Sequence, residues 1–190
     1  SGMDPRLNRS GLTLIVLAEH KAPVYSKRGL KLITSSMRRS PPDCLDPKIH
    51  HANLLPSILA KIQANAAGAD DAIMLDLRGF ISETNATHLF IVDGKRLLTP
   101  TLAACPEGIT RRTVLDICRV HSIDCEVRDV SLTELYRADE VFCSGTMGEL
   151  AGVTWVDGRT IGDGAVGPMT QRVSALYAER TAAGGTRVVD

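Results

Sequence analysis

The feature that most restricts this chain is the way short β-rich runs alternate with helical runs, with two-residue turn signals between several of the β runs. Asp93-Gly94 and Asp157-Gly158 both stand between apolar stretches, where Asp-Gly favours the left-handed backbone that a tight hairpin needs. Thr87 to Val92 is answered by Arg96 to Thr99, and Gly152 to Val156 by Thr160-Ile161. A doubly wound parallel sheet requires long crossovers rather than hairpins. The pattern therefore predicts an α+β fold in which a mixed sheet curls around helices.

Further strands are predicted at Leu12 to Ala18 (buried), Leu30 to Ser35, Ala72 to Asp76, Phe80 to Glu83, Cys125 to Val130 and Glu140 to Cys143. Pro41, Pro42 and Pro47 make Met37 to Asp46 an irregular connection. Helices are predicted from Asn53 to about Ala67, from near Thr110, over Leu132 to Ala138, and from Pro168 to Arg180. In the first of these, Leu55, Ile58, Leu59, Ile62 and Ala66 recur at helical spacing, and Gly68 suits its C-cap. In the second, Val114, Ile117, Cys118 and His121 share a face. Met169, Val173, Leu176 and Tyr177 are the inward side of the last.

The 190 residues and a hydrophobic content of 44% suit one domain with a sizeable core. Twenty-two basic residues balance twenty-two acidic ones. That balance gives no reason to expect nucleic acid or an anionic membrane as partner. No run has the length of a transmembrane helix or the form of a signal peptide. Five cysteines without a C-x-x-C pair suggest reduced thiols and a cytoplasmic location.

Four stretches stand out as candidates for chemistry. The first is Asp46-Pro47-Lys48-Ile49-His50-His51-Ala52-Asn53-Leu54-Leu55, where an extended segment meets a helix. Adjacent histidines on a strand face opposite ways, so no metal site is expected there. The second is Glu83, in Ile81-Ser82-Glu83-Thr84-Asn85-Ala86-Thr87-His88-Leu89-Phe90. The third is Glu107-Gly108-Ile109-Thr110-Arg111, a glycine-led turn whose free N–H groups favour an anion. The fourth is Ser144-Gly145-Thr146-Met147-Gly148-Glu149, at the end of a strand.

Together these stretches resemble the class IV (fold type IV) pyridoxal-phosphate enzymes, which include branched-chain aminotransferase, D-amino-acid aminotransferase and aminodeoxychorismate lyase. The resemblance runs from about Gly29 to Tyr177 and implies the family's large domain, a mixed-sheet pseudo-barrel with helices. The family's junction runs approximately Asp-Pro-x-Ile-Lys-x-x-Asn-Tyr/Leu-Leu, and its lysine forms a Schiff base with pyridoxal 5'-phosphate. Aligned on Asp46-Pro47 and Asn53-Leu54-Leu55, that position is His50, with Lys48 as the fallback amine. On a strand, Lys48 and His50 share a face but stand about 6.6 Å apart.

The resemblance further implies that Glu83 bonds the cofactor's pyridine nitrogen and that Gly108, Ile109 and Thr110 hold its phosphate together with the Thr146 hydroxyl. Gly145 and Met147 would face the carboxylate of an amino-acid or keto-acid substrate. His88 stands where the family carries asparagine, and Met147 where it usually carries alanine. The family's N-terminal domain has no expected counterpart beyond the strand at Leu12 to Ala18. The expected division is a tag scar at 1–2, a remnant strand and linker at 3–28, the cofactor-binding domain at 29–181 and a flexible tail at 182–190. A homodimer is expected. Two functions follow: an aminotransferase weakened by His50, or a non-catalytic binding or assembly module with a remnant cofactor pocket.

Overall fold

Runs rich in Val, Ile and Leu build a nine-stranded mixed sheet in the computed structural model, which describes residues 3–184. The strands are β1 (Leu30–Arg38), β2 (Asp71–Leu75), β3 (Ile81–Thr84), β4 (His88–Asp93), β5 (Arg96–Thr99), β6 (Cys125–Val127), β7 (Glu140–Gly145), β8 (Glu149–Val156) and β9 (Arg159–Thr160). Their order is β3-β2-β1-β8-β7-β4-β5-β6, with β9 beside β8. β1 runs parallel to β2 and β8, and β5 to β6; the remaining pairs are antiparallel. The sheet curls until β3 lies against β4, and Thr84 donates its N–H to the Thr87 carbonyl at 2.7 Å. Six strands thus form the expected pseudo-barrel.

The alternation of side chains along each strand divides the core in two directions. Leu30, Leu32, Ile73, Leu75, Leu89, Ile91, Val141 and Val153 fill one cluster. Phe90, Val92, Phe142 and Leu150 point the other way, toward α3 (Ile109–Val120) and α5 (Pro168–Ala183). Phe90 and Phe142 stack with ring centroids 4.9 Å apart. A third cluster joins β2 to α2 (Leu55–Ala66) through Ala60, Ala64, Ala72 and Met74. The two alanines let α2 approach closely. Its larger apolar residues, Leu55, Ile58, Leu59 and Ile62, face outward.

The hairpins form with local differences. Asp157 and Gly158 both adopt positive φ, as a two-residue type I′ loop requires. In the other hairpin Asp93 pairs with Arg96, so the turn residues are Gly94-Lys95, with Gly94 taking the positive φ. His121 caps α3 on the exposed side instead of joining Val114, Ile117 and Cys118 in the core. The connection after β1 contains a short helix, α1 (Pro42–Leu45), because a proline in the first helical turn has no N–H to lose. α4 (Leu132–Tyr136) is closed by a capping box between Ser131 and Glu134.

The strand expected at Leu12 to Ala18 does not form. Those residues are irregular, and Leu12, Leu14, Ile15, Val16 and Leu17 are exposed. A β run needs a neighbour to pair its backbone groups, and these residues pair with no strand among the described residues. The expected flexible tail at 182–190 is corrected at its start, since α5 continues through Ala183. Its remainder at 185–190, and the expected tag scar at 1–2, lie outside the described residues.

Candidate functional site

Two adjoining cavities, of about 380 and 440 Å³, open where the end of β7, the β3–β4 connection, the first turn of α3 and the segment before α2 converge. His50, Glu83, Ala86, Pro106, Gly145 and Thr146 line both. Lys48, His88, Glu107, Gly108, Ile109, Thr110 and Ser144 complete the first. Tyr25, Arg39, Leu54, Asn85 and Met147 belong to the second. Every site residue expected from the sequence thus lines one continuous cleft, although the expectations draw on four separate stretches.

At the α3 end, Gly108 is an N-cap without a side-chain cap, and the first helical bond runs from the Arg112 N–H to the Gly108 carbonyl at 2.9 Å. The amides of Ile109 and Thr110 lie ahead of that bond, at the positive end of the helix dipole. The hydroxyls of Thr110 and Ser144 are buried, and neither has a hydrogen-bond partner among the described residues. A buried hydroxyl without a partner is costly, and of the three such hydroxyls among the described residues, Thr110, Ser144 and Thr170, the first two belong to residues that line the first cavity.

Gly108 also makes room for its neighbour, because a Cβ there would stand 2.6 Å from His88 Nδ1. Burial pushes His88 down to about 4, which keeps its ring neutral. Its Nε2 lies 2.9 Å from the Pro106 carbonyl. A carbonyl only accepts, so Nε2 carries the proton and donates.

Glu83 is the buried charge of the site, at 5% exposure. Burial pushes its carboxyl up to about 7, and the ion pair with Arg39 opposes that rise. Arg39 also donates from Nη1 to Ser57 Oγ at 2.9 Å and from Nε to the Ala104 carbonyl at 3.3 Å. His88 Nε2 stands 3.9 Å from Glu83 Oε2, beyond hydrogen-bond range.

The segment before α2 is a turn. Ile49 donates its N–H to the Asp46 carbonyl at 3.0 Å, and Lys48 donates its own to Asp46 Oδ1 at 3.0 Å. Asp followed by Pro is the favoured start of such a turn. The extended reading, with its fixed 6.6 Å step between Lys48 and His50 (about two residues of strand), is therefore replaced. Both side chains line the same cavity.

The chain resembles known proteins over most of its length. The family model for amino-transferase class IV matches residues 2–156. The chain belongs to the class IV aminotransferases. It is 52% identical over 189 residues to branched-chain-amino-acid aminotransferase-like protein 2 of Arabidopsis thaliana, covering 99% of this chain and 34% of that one. A putative branched-chain-amino-acid aminotransferase of Methanocaldococcus jannaschii is 37% identical, over 100% of this chain and 66% of that protein. Among solved structures, the branched-chain amino acid aminotransferase from Thermobaculum terrenum, in its PLP-bound holo form, superposes with a TM-score of 0.77 at 34% identity. That match covers 80% of this chain and 50% of the other. The chain spans about a third of its Arabidopsis relative and about half of this neighbour.

This class IV chain contains site residues that the motifs did not single out. Arg39 had no signal beyond a pair of arginines after a strand. Ser144 and Asn85 stand inside quoted motifs without a stated task. Tyr25 reaches the second cavity from the segment before β1 and donates its hydroxyl to the buried Asp71 carboxylate. No group of three or more His, Cys, Asp or Glu placed to hold a metal occurs among the described residues. No helix described is long and apolar enough to cross a membrane.

Proposed function

We propose that this chain is the cofactor-binding portion of a class IV aminotransferase-like protein, and that its cleft holds pyridoxal 5'-phosphate beside an amino or keto acid. The observation that carries this is the pair of unpartnered buried hydroxyls, Thr110 and Ser144, on residues that share a cavity with the first turn of α3. Four hydrogen-bonding groups at a helix N-terminus suit a phosphate. The PLP held by the Thermobaculum terrenum enzyme supports the same assignment.

In this reading the amides of Ile109 and Thr110, with the hydroxyls of Thr110, Ser144 and Thr146, hold the phosphate. Glu83 would face the ring nitrogen and favour a proton there, while Arg39 opposes the rise that burial imposes on the Glu83 carboxyl. Neutral His88 fixes the Pro106–Gly108 turn without adding charge. When bound, the cofactor supplies an electron sink for charge developing at the substrate's Cα. Gly145 and Met147 border the side on which the substrate enters. His50 can take and return a proton, but an imidazole is not a primary amine and cannot condense with a carbonyl. Transamination through position 50 is therefore expected to be negligible, since losing a covalent nucleophile costs orders of magnitude in rate.

Thr146→Val is expected to weaken pyridoxal phosphate binding by about 1.5–3 kcal/mol, the worth of a hydrogen bond to a charged group. An absorbance titration of the cofactor against both proteins measures this. Equal affinity would place the phosphate elsewhere.

A second reading, a non-catalytic assembly module with a remnant pocket, is favoured by His50 and by the outer face of α2. Leu55, Ile58 and Ile62 are each more than half exposed, next to half-exposed Leu54. A contiguous apolar stripe of this kind is rarely left in water. In either reading the stripe pairs with a second copy, giving a homodimer. Ile58→Asp is expected to convert the dimer to monomer in light scattering. A wild-type monomer at high protein concentration would remove this part of the proposal.

A further inference from the structure

We infer that Lys48 is the amine in this cleft that captures an aldehyde-bearing ligand covalently, in place of the residue at position 50. The inference rests on the cofactor reading above. Its basis is the turn at Asp46–Ile49. Asp46 accepts from the N–H groups of both Lys48 and Ile49, and this reversal brings the Lys48 side chain to the cavity lined by Glu83, Thr110, Ser144 and Thr146.

A census of amines supports the assignment. The chain has six lysines, and all of them lie within the described residues. Lys61 is held by the Asp71 carboxylate at 3.0 Å, Lys27 by Glu149 at 3.0 Å and Lys21 by Glu19 at 2.6 Å. Lys31 and Lys95 line neither cavity. Lys95 belongs to the hairpin after β4, whereas the cleft lies at the His88 end of that strand. Only Lys48 among the six lines the cleft, and it makes no ion pair among the described residues.

The chemistry balances without a further reactant. Neutral Nζ adds its lone pair to the aldehyde carbon, whose oxygen gains a proton. The resulting carbinolamine loses that oxygen as water, leaving a carbon–nitrogen double bond. The ammonium proton shed beforehand passes to solvent or to His50, which borders the same cavity. Phosphate anchoring at α3 raises the local concentration of the aldehyde near Lys48, which free surface lysines do not enjoy.

The test is borohydride reduction of the wild-type protein with substoichiometric pyridoxal phosphate, followed by peptide mapping. Calorimetry with pyridoxamine phosphate, which lacks the aldehyde, runs in parallel. The label is expected predominantly on the peptide containing Lys48. It should fall at least tenfold in Lys48→Arg and in Thr146→Val, and stay unchanged in Lys95→Arg. Label spread over the surface lysines, or insensitive to Thr146→Val, overturns the inference. Binding of pyridoxamine phosphate without label on Lys48 overturns it while leaving the cofactor reading intact. Failure to bind pyridoxamine phosphate at all overturns both.

Discussion

Arg39→Met is expected to cost about 1–2 kcal/mol of stability at pH 5, from two lost side-chain hydrogen bonds, and about 3 kcal/mol or more at pH 8. The difference comes from Glu83. At pH 5 its buried carboxyl is neutral in the wild type and the variant alike, so the missing guanidinium leaves no charge uncompensated. Above about pH 7 the wild-type carboxylate ionises against Arg39. The variant must then bury a bare carboxylate or retain its proton, at a penalty that grows by up to about 1.4 kcal/mol per pH unit. Urea unfolding of both proteins at the two pH values measures this. An equal loss at both would show that Arg39 acts through packing alone.

The second large effect is hidden in the wild type, because Glu83 and His88 oppose each other. The folded state raises Glu83 from 4.5 to about 7. Between those values the folded protein keeps a proton that the unfolded chain has released, so stability falls as pH rises. The folded state lowers His88 from 6.5 to about 4. Between those values the unfolded chain binds a proton that the folded protein refuses, so stability rises with pH. From about pH 4.5 to 6.5 the two slopes offset.

Glu83→Gln should uncover the histidine slope, a gain on the order of 3 kcal/mol from pH 4 to 6.5. His88→Asn should uncover the carboxylate slope, a loss on the order of 3 kcal/mol from pH 4.5 to 7. Stability curves of the two variants should cross. Curves that run parallel to the wild type would mean that neither group is perturbed as its burial implies.

The first effect depends on a pairing that no stretch of sequence displays, and the second on burial that only the packed cleft supplies. Glu83 was legible because it stands in a motif, and the turn at Gly108 to Thr110 because glycine before a helix leaves donors free. Arg39 was not. Its position after β1 carries no local pattern, and only the pairing of β1 and β3 on either side of β2 brings it to Glu83. Lys48 differs from its expected placement for a related reason: Asp46-Pro47 suits an extended segment before the helix, and the same two residues also start a β-turn. The local chemistry was in view, but two conformations fit it, and contacts with the rest of the cleft selected one.

What the sequence determined by itself was local in its physics. Turn residues set the hairpins, side-chain periodicity set the helices, and runs of β-branched and aliphatic residues set most strands, since these preferences act within a few neighbouring residues. The family followed from short motifs for the same reason. Tertiary structure decided which of those elements had partners. Leu12 to Ala18 is an adequate β run that pairs with no strand among the described residues and stays irregular. The stripe of α2 is an adequate apolar face, yet Ala60 and Ala64 turn inward and leave the larger residues exposed, because closeness to β2 favours small side chains. Burial, ion pairing and the pKa values that follow depend on how the barrel closes, and closure is a property of the whole chain.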